Sequence, residues 1–73
     1  MSKEFNEKLG AVLRAKRQEK GFSQEYVAGL IGVSKNQVSH WEIGKRSMYA
    51  ESLAAYCKVL GITMQEVTDE IDV

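Results

Sequence analysis

The sequence predicts an all-α fold, a compact bundle of five helices forming one domain over residues 1–73. Three observations point there. Apolar residues recur three and four apart in separate segments, the spacing of an amphipathic helix. Glycines and hydroxyl residues stand where helix ends need them, and no alternating strand pattern, repeat or linker intervenes. With no proline and 44% hydrophobic residues, the composition suits a folded soluble unit rather than a disordered one.

Phe5, Leu9, Val12, Leu13 and the aliphatic stem of Lys16 share one helical face, which gives a first helix over residues 4–19 ending near Gly21. Ser23 is placed to cap a second, short helix whose inward residues are Val27, Leu30 and Ile31, and Gly32 can take the left-handed conformation that stops it. Ser34 with Gln37 three residues on forms a capping box, which starts a third helix over Lys35–Ile43 before Gly44. Leu53, Tyr56, Cys57 and Leu60 mark a fourth helix closed by Gly61. A second capping box, Thr63 with Glu66, begins a fifth, striped by Val67 and Ile71.

Several function classes are excluded early. The longest apolar run is far below the roughly 20 residues that cross a bilayer, and "MSKEFNEKLG" lacks the apolar centre of a signal peptide, so a cytoplasmic protein is expected. One cysteine and one histidine supply neither a disulfide nor a metal-ligand set. They also fall on different helices, so no nucleophile and base pair up; neither an enzyme nor a cofactor is expected. Cys57 lies on an apolar stripe and reads as a small buried hydrophobe.

The net charge is zero, but its distribution is polar. Residues 1–46 carry nine Lys and Arg against five acids, and residues 47–73 carry one Lys against five acids. One end can therefore face an anionic partner. The cations of the first helix, Arg14, Lys16, Arg17 and Lys20, read more simply as a solvated face.

The second and third helices, residues 24–43, meet the demands of two short helices crossing steeply over a tight turn. Ala28 is small where the backbones approach, and Gly32 tolerates positive φ in the turn. Val27, Ile31, Val33, Val38 and Trp41 fill the angle between them. At about 100° per residue, Val38 and Trp41 face inward. Asn36, His40 and Ile43 lie opposite, flanked by Lys35, Gln37 and Ser39. Asn and Gln can bridge the donor and acceptor of adenine, Lys can donate to guanine, and His can do either according to tautomer.

The segments "LRAKRQEKGFSQ", "VAGLIGVSKNQVSHWEIGK" and "LAAYCKVLGITMQEV" together resemble the helix-turn-helix of phage repressor and Cro-type regulators, the xenobiotic-response-element family. The resemblance covers most of the chain and implies a lambda-repressor-like fold whose third helix enters the major groove of double-stranded DNA. It further implies base contacts by Lys35, Asn36, Gln37 and His40, although the Gln37 side chain could instead fold back to complete its capping box. Phosphate contacts would come from Ser23, Gln24, Ser39, Lys45 and Arg46. Arg17 and Glu42 match a structural pair that holds the recognition helix. Three positions depart from the family pattern: Ile43 replaces a polar residue, Met48 a proline, and Tyr49 a small helix cap.

The resulting expectation is a sequence-specific transcriptional regulator, a repressor rather than an activator because the chain shows no effector domain. One helix reads too few base pairs to single out a genomic site, so a homodimer on a palindromic operator is expected, with half-sites about 34 Å apart. Val67 and Ile71, within a dimerisation segment at 62–73, are the candidate seam. An antitoxin or protein-interaction module of the same fold, with a toxin as partner, is the alternative. No membrane partner is expected.

Overall fold

A computed structural model of the chain describes residues 2–71; the last two positions of the 62–73 segment lie outside the described residues. Five helices appear in the expected order: α1 (Lys3–Glu19), α2 (Gln24–Ile31), α3 (Lys35–Glu42), α4 (Ala50–Leu60) and α5 (Met64–Glu70). Helix α1 begins one residue earlier than predicted because Ser2 caps it, its Oγ accepting the Phe5 N–H at 3.1 Å. Ser23, Ser34 and Thr63 cap α2, α3 and α5 in the same way, at 3.0–3.1 Å. Each cap satisfies a backbone donor that has no partner within its helix. Only the Ser/Thr half of each predicted capping box forms. The Gln37 and Glu66 backbone N–H groups are bound, and their side chains do not reach back among the described residues. Helix α3 ends one residue short of Ile43, which becomes its C-cap.

Gly32 closes α2 at φ +89°, where its N–H and that of Val33 both donate to the Ala28 carbonyl. This sharp reversal turns the chain directly into α3.

The core gathers Leu9 and Leu13 from α1, Val27 and Ala28 from α2, and Val38 and Trp41 from α3, closed by α4 and α5. The Trp41 and Tyr56 rings meet at a centroid distance of 6.4 Å, tilted by 56°. Cys57 is part of this core, and burial pushes its thiol up, away from the reactive thiolate.

Two further sequence expectations fail. Leu30, assigned inward, is 57% exposed. The buried stripe of α2 centres between Val27 and Ala28, about 110° around the helix from Leu30 at 100° per residue. Val67 and Ile71, assigned to a dimer seam, are 1% and 3% exposed. They are the face that seats α5 on its own chain, so they cannot meet a second copy. A short amphipathic helix has one apolar stripe, and here the domain's own core covers it.

Tyr49 caps α4 with no side-chain hydrogen bond and is 80% exposed. Its backbone already holds the extended conformation that a capping side chain requires. Tyr49→Asp should therefore stabilise the domain by about 0.5–1 kcal/mol, read as a higher urea midpoint with an unchanged slope. An unchanged or lower midpoint would show that the tyrosine ring contributes more than the missing cap.

Candidate nucleic-acid interface

Helix α3 is held from behind by a buried polar cluster centred on Glu42. The Arg17 guanidinium grips this carboxylate in bidentate fashion, Nε to Oε2 at 2.7 Å and Nη2 to Oε1 at 3.0 Å. Gln24 Nε2 donates to Oε1 at 3.0 Å, and the Tyr56 hydroxyl donates to Oε2. Arg17 also donates through Nη1 to the Phe22 carbonyl at 2.6 Å, which ties the α1–α2 connection to the cluster. Helices α1, α2 and α4 thus all reach the last residue of α3 through hydrogen bonds, and the angle at which α3 leaves the domain follows from them.

The electrostatics agree with this geometry. Burial pushes the Glu42 carboxyl up, but hydrogen bonds from Arg17, Tyr56 and Gln24, with the Arg17 charge, outweigh it and hold the group ionised below its ordinary range. The Tyr56 phenol moves the other way, raised first by burial and then by the carboxylate it faces. It remains a donor.

The opposite side of α3 is open. Lys35 and Asn36 are exposed, and Gln37, Ser39 and His40 are half-buried. None of these five side chains has an intramolecular hydrogen bond among the described residues. The freedom of Gln37 follows from its unfinished capping box. Ser23, at the start of α2, and Lys45 and Arg46, just after α3, are exposed as well. The Ser23 oxygen accepts from Tyr26 N–H, leaving its hydroxyl proton free to donate. Gln24 gives one amide N–H to Glu42 and keeps its second, so its side chain is already oriented by the buried cluster. Ile43, 58% exposed, extends the open face with an apolar side chain, whereas Met48 is buried at 5% and fills the place of the expected proline.

Of the α1 cations, Arg17 is buried against Glu42 instead of lying on a solvated face, and Lys3, Arg14 and Lys20 are exposed with no ion pair among the described residues. Lys8 pairs with Glu4 at 3.3 Å and Lys16 with Glu70 at 2.6 Å, the second joining α1 to α5. Lys35, Lys45 and Arg46, at the start of α3 and just after it, add exposed positive charge with no ion pair among the described residues. Among the described residues no helix is long and apolar enough to cross a membrane, and no cluster of His, Cys, Asp and Glu could hold a metal.

Sequence reasoning identified Arg17 with Glu42 but missed Tyr56 and the second use of Gln24. It also missed Gly10, buried at the point where α1 crosses the end of α3. Asn6 adds a polar link from α1 to the α3–α4 loop, its Nδ2 donating to Ser47 Oγ at 2.9 Å.

Two short helices crossing at a glycine turn, the second braced at its C-terminus and open along its polar face, define a helix-turn-helix domain. The chain belongs to the helix-turn-helix family, whose pattern matches residues 13–67. It is 38% identical over 64 residues to the HTH-type transcriptional activator BcrR of Enterococcus faecalis, a match covering 88% of this chain. The chain spans only 29% of the length of that relative. The crystal structure of the clp gene regulator ClgR from Corynebacterium glutamicum superposes with a TM-score of 0.90 at 34% identity, covering 92% of this chain and 71% of that one. The restriction-modification controller protein C.Esp1396I, crystallised as a tetramer in complex with its natural 35 base-pair operator, matches with a TM-score of 0.79 at 25% identity. That match covers 92% of this chain and 93% of the controller.

Proposed function

We propose that the chain is the DNA-reading domain of a transcriptional regulator that lays α3 in the major groove of double-stranded DNA and acts as a homodimer on a palindromic operator. The observation that carries this reading is the contrast between the two sides of α3. One side is locked by the Glu42 cluster, and the other presents Lys35, Asn36, Gln37 and His40 with no hydrogen-bond partner for their side chains among the described residues. Side chains with donors and acceptors that the domain itself leaves unmet suit a partner that displays both on its base edges.

Ser23, Gln24, Ser39, Lys45 and Arg46 surround the reading helix as phosphate contacts, which set register without carrying sequence information. The start of α2 adds backbone amides and a positive dipole end to that set. The likeness to an operator-bound controller supports both the DNA target and assembly into more than one copy. Occupying an operator needs no surface beyond this face, so repression is the minimal mode of action. The protein works inside the cell, where its DNA target is.

Selection of bound sequences from a random duplex pool tests the reading, followed by two substitutions on the selected site. Asn36→Ala should cost about 1–3 kcal/mol and relax preference at one base pair. Lys45→Ala should weaken binding to all sequences alike and lower the salt slope by about one. Equal losses on every sequence from both variants would refute the base-reading role of α3.

A further inference from the structure

We propose that the shallow apolar groove between the C-terminal end of α2 and the outer face of α4 is the surface on which a second copy of this chain docks. The two α4 helices then run antiparallel about a two-fold axis beside Ala55. The inference rests on the homodimeric reading above and supplies the seam that Val67 and Ile71 cannot provide.

Two adjoining hollows form the groove. One, of about 340 Å³, is lined by Leu30, Ile31, Ala55 and Val59, with Lys58 at its edge. The other, of about 260 Å³, shares Ile31 and Ala55, adds Val33 and Ser52, and has Glu51 at its edge. Leu30 accounts for the largest exposed apolar side chain of this surface. An unpartnered leucine beside a hollow floored by isoleucine, alanine and valine is a surface that gains by being covered.

The charges select the occupant. Glu51 and Lys58 are seven residues apart on α4, about two helical turns, so they emerge on the same side roughly 10 Å from one another. Neither is in an ion pair among the described residues. In an isologous contact every pairing occurs twice, residue i on j and j on i. With the axis passing between positions 54 and 55, Glu51 of each copy meets Lys58 of the other, and the apolar hollows close between the two pairs. Ala54, Ala55 and Ser52 are small enough for the helices to approach closely. A partner of one charge sign would meet one attraction and one repulsion on the same face, whereas a twin meets two attractions.

Sedimentation equilibrium of the free chain tests this without DNA. Glu51→Lys and Lys58→Glu should each raise the dimer dissociation constant at least about tenfold, since each places like charges together twice. The double variant, with both charges exchanged, should return to within about threefold of the wild type. Leu30→Lys, at an exposed position outside the core, should also weaken the dimer while leaving the helical circular dichroism intact.

A wild type that stays monomeric at high concentration overturns the proposal. So does a dimer insensitive to the single exchanges, or one that the double exchange fails to restore; either outcome places the seam elsewhere. The two readings fail separately. A chain that dimerises through this groove yet selects no DNA sequence refutes the regulator reading. One that binds operator half-sites only as independent monomers refutes the groove.

Discussion

Arg17→Ala is expected to destabilise the domain by about 3–5 kcal/mol, because it leaves the Glu42 carboxylate buried without its counter-charge. Glu42 is 4% exposed and Arg17 8%, so water cannot take over the lost hydrogen bonds. For a chain of 73 residues the loss is a large share of the whole stability, at roughly 0.05–0.15 kcal/mol per residue. A fall in melting temperature of more than about 12 °C should follow.

The pH dependence separates this mechanism from simple loss of packing. In the wild type the folded Glu42 carboxyl sits below its ordinary range, so its contribution is present above the unfolded carboxylate pKa of about 4.3 and is lost as pH falls below it. In the variant, burial, the largest influence on this carboxyl, is opposed only by the hydrogen bonds from Tyr56 and Gln24, and the folded carboxyl is expected to move above the unfolded value. The variant then gains relative stability on acidification. The difference between the two proteins, read by urea denaturation, should narrow as the pH falls from neutrality toward about 4. A gap that stays constant over that interval would mean that Arg17 contributes through its aliphatic stem alone.

That the pair existed was legible from the family resemblance; that it is a cluster of four side chains was not. Helix ends are local events, decided by a serine or threonine and the amide three residues later, and Ser23, Ser34 and Thr63 all act as read. The turn at Gly32 is equally local. Tyr56 reaches Glu42 across 14 residues and Gln24 across 18, and those meetings depend on how finished helices dock. Apolar stripes have the same limit. The stripe on α5 was correctly seen, but spacing alone does not say whether the chain or its twin will cover Val67 and Ile71. Leu30 failed for the opposite reason, since in a helix of eight residues one apolar side chain more or less shifts the apparent face. The open side of α3 was the most legible part of the site, because residues with no internal task leave a polar pattern that the core does not disturb.

Gly10→Ala is expected to be the second large loss, about 1–2 kcal/mol, although alanine is the better helix former. A Cβ at this position would lie 2.3 Å from the Trp41 carbonyl oxygen and 2.4 Å from that of Glu42. Both obstacles are backbone, so no rotamer change relieves them, and α1 must move away from the end of α3. Overpacking of this kind costs about 1–3 kcal/mol and occasionally more, against a helix-propensity gain of about 1 kcal/mol. The displacement has a second effect. Arg17 stands two turns along α1, so lifting α1 at Gly10 draws the guanidinium off Glu42 and loosens α3. Gly29 supplies the control within the same fold. It lies on exposed helical backbone in α2 with nothing within 4 Å of its would-be Cβ, so Gly29→Ala should stabilise by about 0.5–1 kcal/mol. Opposite signs at the two glycines, measured in one urea series, are the expected result. A neutral Gly10→Ala would show that α1 can ride over the end of α3 without displacing it, and the tight crossing would then not be what sets the angle of α3.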